Sequence, residues 1–538
     1  MPAPHDPDAF LARFAWHPEP ELIAHRDAVT SRDALERLGA ATWASALDFL
    51  FEQAATRAMG APSGYDAARR AFFGEEAGEA RGPAPAPVEP ATSAAVLAEF
   101  DERLAAMQMN AQHPSQFGYF TPPPLQMSIM GELLAQVTNQ GIDVWHAGPT
   151  GAFVEEEVVR WLCDLVGYGK GSFGLLTSGG VMANFMAMLL ARDVHLGRLL
   201  ATGRPPRGRD LERARVYTGD QSHFSIARAL DELGFPPETL VTLPTDERFR
   251  LRGAPVAEAI ARDRAAGLVP FAIAAVAGST NTGSVDRIGE LADIADAEDL
   301  WFHVDAAYGG GVRLSARDAD RVPDLDRAHS VTMDPHKWFF QAYDIGGLLV
   351  RDGTDLAVGF GGRSPEYYRG GEATARGGTS GDGSQGHAAD DHGSQLNFYQ
   401  LSFEGTRRWR ALKLWMSWKH LGTSGFGHLI EANDDLATYL AKRIAASDDF
   451  EAFPAEPELS VVCFRHLPGG PDAVRTRTAA ALDTHQDELQ MALEISGDGW
   501  LTTTRLRDTT YLRAGIVNYL ATEDDIDRLL ETLRRLAG

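Results

Sequence analysis

Between residues 173 and 352 the chain alternates short apolar runs with stretches of helical periodicity, and few folds accept that pattern. "FGLLTSGG" runs into "VMANFMAMLLARD", "RARVYTGD" precedes "SHFSIARALDELG", and "FAIAAVAG" precedes "IGELADIADAEDL". "WFHVDAAYGG", "HSVTMD" and "GGLLVRD" follow. Strand, turn and helix repeated in this way predict an α/β domain built on a mainly parallel central sheet. Ligands of such sheets gather outside the carboxyl ends of the strands, and the polar punctuation of these runs falls there.

The flanks are organised differently. Residues 1–135 read as a helical N-terminal region, interrupted near 82–93 by the Pro/Ala-rich linker of "RGPAPAPVEPATS", and they need the rest of the protein or a partner subunit for burial. Residues 136–415 form the large domain, including a mobile Gly-rich loop over 361–400. Residues 416–538 form a smaller α+β domain that ends in a helix opened by "TEDD". "RRWRALKLWMSWKHLG" reads as one long amphipathic helix, with Arg407 and Arg408 either placing the loop or an interface or serving as helix charges.

A formal net charge of −25 argues against nucleic-acid binding, which needs a basic face. No apolar run is long enough to span a membrane and "MPAPHDPDAF" is no signal peptide, so a cytoplasmic address is expected. Cys163 and Cys463, each in an apolar run, are expected as reduced core residues, and no metal-ligand spacing occurs.

Four stretches carry candidate chemistry. Lys337 in "SVTMDPHKWFF" follows a strand and is flanked by Trp338 and Phe339. Desolvation there would lower its pKa, as an amine that attacks a carbonyl requires; the alternative is a lysine whose head reaches water. Asp305 lies inside the apolar run "WFHVDAAYGG" and needs a cation, either an arginine or a protonated pyridine nitrogen such as that of pyridoxal phosphate. Ala306 and Ala307 beside it leave room for a flat ring. The turn at Gly179 and Gly180, between a strand and a helix, offers backbone N–H groups to a phosphate, although many such turns carry glycine for packing alone. His223 follows another strand, as a cap, a core residue or a stacking partner.

In their order along the chain, with Thr280 in "AGSTNTG", these residues resemble the group II pyridoxal-phosphate-dependent amino-acid decarboxylases, and most closely the aromatic-L-amino-acid decarboxylases. "HVDAAYGG", "DPHKW" and "RRWRALKLW" carry the resemblance, which covers about residues 95 to 535. It implies the type I, aspartate-aminotransferase-like fold, pyridoxal 5'-phosphate as cofactor, an L-amino acid as substrate and a homodimer whose N-terminal segment wraps the partner. By that resemblance Lys337 would hold the cofactor as an internal aldimine, Asp305 would pair with the ring nitrogen and His223 would stack on the ring. Gly179, Gly180 and Val181 would form the phosphate turn, with Asp334 and His336 near the phosphate and Thr280 and Ala307 around the ring. Val181 and Met182 depart from the family pattern, which often has Thr or Ser followed by Glu, so one hydroxyl contact to phosphate is missing.

Decarboxylation to an amine ends with protonation at Cα. The resemblance assigns this to Tyr367 in "RSPEYYRGG", with Tyr368 next in line; related aldehyde-forming enzymes often carry phenylalanine there. "QFGYFTPPP" resembles the segment that lines the family's aromatic pocket, implying Tyr119, Phe120 and Pro122 as substrate walls. The expectation is therefore decarboxylation of an L-amino acid, with an aromatic one favoured by the resemblance. Open beside it are an aldehyde-forming decarboxylase, a decarboxylase of an acidic or other polar amino acid (Asp143 in "GIDVWHAGPTG" being a polar intruder), and a catalytically weak binding protein.

Overall fold

A computed structural model describes residues 32–53, 65–76, 79–88, 91–105, 108–361, 396–475 and 477–538. Its centre is a seven-stranded sheet of β1 (Phe173–Thr177), β2 (Ala214–Gly219), β3 (Leu240–Leu243), β4 (Val269–Val276), β5 (Trp301–Asp305), β6 (Ser330–Met333) and β7 (Gly346–Val350). The spatial order is β1-β7-β6-β5-β4-β2-β3. Strand β7 runs antiparallel to both neighbours, and the other six point the same way. Every residue of β5, β6 and β7 is buried, as expected of a sheet covered on both faces.

Strand periodicity divides the core. Ile273, Ala275, Phe302 and Val304 join one apolar cluster, while Ala272, Ala274 and Trp301 join another across the sheet. His303 and Asp305 therefore share the Trp301 face. That face is covered by the helices leaving β1 and β2, namely α1 (Gly180–Leu190) and α2 (Phe224–Glu232), which pack on each other. The crevice at the strand ends thus opens toward the first turns of α1 and α2.

A second, wholly antiparallel sheet contains β8 (Phe450–Ala452), β9 (Val461–His466), β10 (Thr502–Leu506) and β11 (Thr509–Gly515), in the order β8-β9-β11-β10. Its β10–β11 turn puts Arg507 and Asp508 at φ 47° and 64°, the left-handed pair that matches strand twist. Helix α3 (Ala411–Ala445) links the two sheets and is broken at Gly422, where φ is 65° and ψ 170°. The final helix, α4 (Glu523–Ala537), is closed by a reciprocal capping box between Thr522 and Asp525.

The helix expected from Arg407 starts four residues later. Arg407 is fully buried, its guanidinium 2.5 Å from Glu155 and 2.6 Å from the Leu176 carbonyl, with its face over Phe398. That buried pair holds the segment extended against β1, so Arg407 is neither a surface charge nor part of α3. Cys163 and Cys463 are free and buried. The helices Tyr65–Phe73 and Ser93–Glu99 bury no residue, and residues 81–88 between them are exposed without regular structure. Among the described residues no helix is long and apolar enough to cross a membrane.

Candidate active site

Five strand ends converge on one cavity of about 400 Å³. Strand β1 delivers Gly179, Gly180 and Val181, β2 delivers His223, and β4 delivers Thr280. Strand β5 supplies Asp305 and Ala307, while β6 supplies Asp334, His336 and Lys337. The candidates spread over almost 160 residues of sequence are thus brought together. A hollow of about 420 Å³ lies elsewhere, walled by Arg250, Asp286, Glu290 and Glu458; among the described residues no lysine lines it, Arg250 pairs with Glu458, Glu290 pairs with Arg252, and Asp286 accepts the Leu251 amide.

The Lys337 side chain is 24% exposed, and its Nζ lies 3.1 Å from Asp334 Oδ2. Burial alone would depress this amine, but the carboxylates of Asp334 and Asp305 outweigh it and raise the pKa above the ordinary lysine value. The expectation that Trp338 and Phe339 would lower it is therefore reversed in the ligand-free protein. Trp338 is occupied elsewhere, donating to Asn433 Oδ1 at 3.1 Å and stacking on Tyr308. The ammonium is held in readiness by carboxylates.

Asp305 accepts two hydrogen bonds, from Asn184 Nδ2 at 2.7 Å and from the Ala307 amide at 3.1 Å, and has no ion pair among the described residues. Neither partner is a cation, so the arginine alternative is not realised there. At the opposite wall Gly179 opens α1 with φ 151°, which favours glycine, and Ala183 N–H is the first amide to bond back to it. The amides of Gly180, Val181 and Met182 consequently have no intrahelical acceptor. Behind them Asp334 Oδ1 is buried without a hydrogen bond.

His336 accepts the Ile345 amide on Nδ1 at 3.3 Å, leaving Nε2 to carry its proton. Burial lowers its pKa, as it does for His223, so both imidazoles are held toward neutrality. A cavity with an amine, an unpaired carboxylate across from it and open amides at a helix start fits pyridoxal phosphate: aldehyde, ring nitrogen and phosphate each meet a complementary group.

The expected substrate walls stand further back. Phe120 is sandwiched between Tyr308, 4.0 Å away and stacked, and the Arg513 guanidinium at 4.6 Å, so Tyr308 rather than Phe120 faces the cavity. Tyr119 is exposed and meets Trp500 edge-on, Pro122 is buried, and neither lines the cavity of this single chain. Tyr367 and Tyr368 lie outside the described residues. Sequence reasoning missed Asn184, Phe224, Tyr343 and Arg513. Arg513 sits in β11 with Nε on the Thr280 carbonyl at 2.7 Å and a buried Nη2 without a partner. Charge inside the apolar run "TYLRAGIV" was the available signal, the same one that marked Asp305.

The profile of the pyridoxal-dependent decarboxylase conserved domain matches residues 78–467. An aromatic-L-amino-acid decarboxylase of Bacillus atrophaeus is 32% identical over 432 residues, 80% of this chain and 82% of that protein. An L-2,4-diaminobutyrate decarboxylase of Rhizobium meliloti is 30% identical over 448 residues, 82% of each. Among solved structures, the glutamate decarboxylase domain of a Vibrio parahaemolyticus diaminobutyrate-pyruvate transaminase and L-2,4-diaminobutyrate decarboxylase superimposes with a TM-score of 0.77 at 26% identity, covering 98% of this chain and 99% of that one.

Proposed function

Because the chain belongs to the pyridoxal-dependent decarboxylases and is a pyridoxal-phosphate-dependent carboxy-lyase, we propose that it converts an aromatic L-amino acid to its amine, with Lys337 as the residue that carries the cofactor. The observation that carries this is the position of Lys337 Nζ, open to the same cavity as the Asp305 carboxylate and the first amides of α1. Bound pyridoxal phosphate supplies an aldehyde for amines to attach to and an electron sink for the pair left when CO2 departs.

The chain's own residues do the rest. Lys337 would hold the cofactor, and Asp334, 3.1 Å from Nζ, would pair its ammonium when it is free. Asp305 would hold a proton on the ring nitrogen. The amides of Gly180, Val181 and Met182, with His336 Nε2–H, bind phosphate; the backbone replaces the hydroxyl that Val181 lacks. His223 packs over the ring and presents Nε2–H. Tyr367 delivers the proton to Cα after CO2 leaves. Two copies of the chain, paired as the resemblance implies, bring further walls to each cavity.

Aromatic specificity is favoured by what lines the cavity: Phe224, Tyr308 and Tyr343. The relatives that act on L-2,4-diaminobutyrate support a second reading. Among the described lining residues of one chain, though, the only carboxylates are Asp305, bonded to Asn184, and Asp334, paired with Lys337, which favours the aromatic reading. The test is CO2 release from a panel of L-tryptophan, L-tyrosine, L-phenylalanine, L-2,4-diaminobutyrate and L-glutamate. An aromatic substrate should lead in kcat/KM by about tenfold or more, a few kcal/mol of side-chain recognition being the scale available to such a pocket. A lead for diaminobutyrate or glutamate would overturn the aromatic assignment and leave the reaction class standing.

A further inference from the structure

We propose that Asn184 is the positioning residue of this site: one side-chain amide that holds the Asp305 carboxylate and, through Ser225, fixes the tautomer of His223. Asn184 lies in the first turns of α1, is 1% exposed, and comes from a part of the sequence remote from both groups. Its Nδ2 donates to Asp305 Oδ2 at 2.7 Å and to Ser225 Oγ at 2.8 Å. Its Oδ1 accepts from Thr332 Oγ1 at 2.7 Å and lies 3.0 Å from His303 Nε2. All four hydrogen-bonding positions of the amide are therefore filled.

The direction of these bonds follows from one group that can only accept: the Asp305 carboxylate takes Nδ2, which leaves Oδ1 facing His303 Nε2. The indole N–H of Trp301 points to Ser330 Oγ at 3.0 Å, so the Ser330 hydroxyl proton is free to go to His303 Nδ1 at 2.9 Å. His303 then carries its own proton on Nε2 and gives it to Asn184 Oδ1. Burial pushes His303 down to about 4, which keeps it neutral and preserves that arrangement. The amide is thereby barred from flipping, and both its N–H groups point toward the cavity side, one to Asp305 and one to Ser225.

Ser225, accepting from Asn184, donates its hydroxyl proton to His223 Nδ1 at 2.8 Å, and its backbone N–H points at the same nitrogen at 3.3 Å. Both donors meet the Nδ1 lone pair, so the His223 proton sits on Nε2. The Asp305 carboxylate and the His223 imidazole are thus both tied to a single amide, whose orientation is matched by partners on β5 and β6. Holding such groups to within a fraction of an ångström is what positioning residues contribute to rate.

This inference rests on the placement of the cofactor ring over Asp305, and the experiment separates the two. The holoenzyme is reconstituted with pyridoxal phosphate carrying 15N in the ring, in protein labelled with 15N-histidine, and the nitrogen shifts are read with kcat and KM. Asn184→Asp keeps the shape but has at most one donor and cannot serve Asp305 and Ser225 together, whereas Ser225→Ala cuts only the branch to His223. Asn184→Asp should move the ring-nitrogen and His223 signals together and lower kcat on the order of 10- to 100-fold, with KM changed by less than about threefold. Ser225→Ala should move the His223 signal and leave the ring nitrogen as in the wild type.

Unchanged signals in Asn184→Asp, or a ring-nitrogen shift in Ser225→Ala as large as in Asn184→Asp, would overturn the proposal. Should Asn184→Asp fail to fold, an unaltered His223 signal in Ser225→Ala overturns it alone, because the tautomer would then be set elsewhere. Asp305→Asn serves as the reference. If it too leaves the ring nitrogen unmoved, the ring placement fails and the proposal with it; if it moves the nitrogen while Asn184→Asp does not, only the role of Asn184 is lost.

Discussion

On the proposed reading Lys337 must be a free amine to take up the cofactor, and its neighbours favour the ammonium. The carboxylates of Asp334 and Asp305 raise its pKa despite burial, so near neutrality only a small fraction of the ligand-free protein carries a neutral amine. Covalent uptake of cofactor should consequently quicken by about tenfold per pH unit between about pH 6 and 8, followed by absorbance in stopped flow. An uptake rate independent of pH over that range would mean that the amine is already neutral. Tyr367 is the other residue whose chemistry is separable. Tyr367→Phe should retain cofactor and CO2 release while product shifts from amine toward aldehyde with consumption of dioxygen; unchanged amine formation would remove Tyr367 from the protonation step.

At the scale of elements, the phosphate turn depends on how closely β7 passes beneath it. A Cβ on Gly346 would lie 2.5 Å from Gly179 Cα and 2.7 Å from Asp334 Oδ1, with backbone on one side and the lysine's counter-ion on the other. Gly346→Ala should therefore push the turn outward and weaken cofactor binding by about tenfold or more, measured as the dissociation constant from fluorescence quenching. Wild-type affinity would show that the turn tolerates the shift.

The strand ends that build this site were legible because alternation of apolar runs and helices is a property of contiguous sequence. Leu240–Leu243 gave no such signal, being a four-residue edge strand with only one buried residue. Contacts across the fold were less legible. Asn184 meets Asp305 from 121 residues away, and nothing local to "MANF" signals it. For Arg407 the sequence left open a loop or interface contact and a helix charge, and its partner Glu155 lies 252 residues earlier. Phe120 had the right chemistry for a wall, but Tyr308 occupies the layer in front of it.

Across the whole molecule, the sites that cost stability are also the ones that respond to pH. Asp434 in α3 is 1% exposed, neither oxygen has a hydrogen bond, and the nearest guanidinium, of Arg321, is 3.6 Å away. Burial pushes its carboxyl up to about 8. An acid whose folded pKa is raised is neutral in the fold while the unfolded chain ionises, so its penalty grows as pH rises from about 4 to about 8 and then levels off. Asp434→Asn removes that penalty. It should leave stability in urea unchanged near pH 4 and raise it by ~2–4 kcal/mol near pH 8; an equal effect at both pH values would contradict the neutral carboxyl.

The converging strand ends, the Asn184 network and the open helix start surround one amine, and the proposed function rests on it. The most direct test is borohydride reduction of the cofactor-loaded protein followed by peptide mass spectrometry. The cofactor's mass should appear on the peptide containing "DPHKW", at Lys337, and Lys337→Ala should carry none and release no CO2. The adduct on any other lysine, or full turnover without Lys337, would contradict the account.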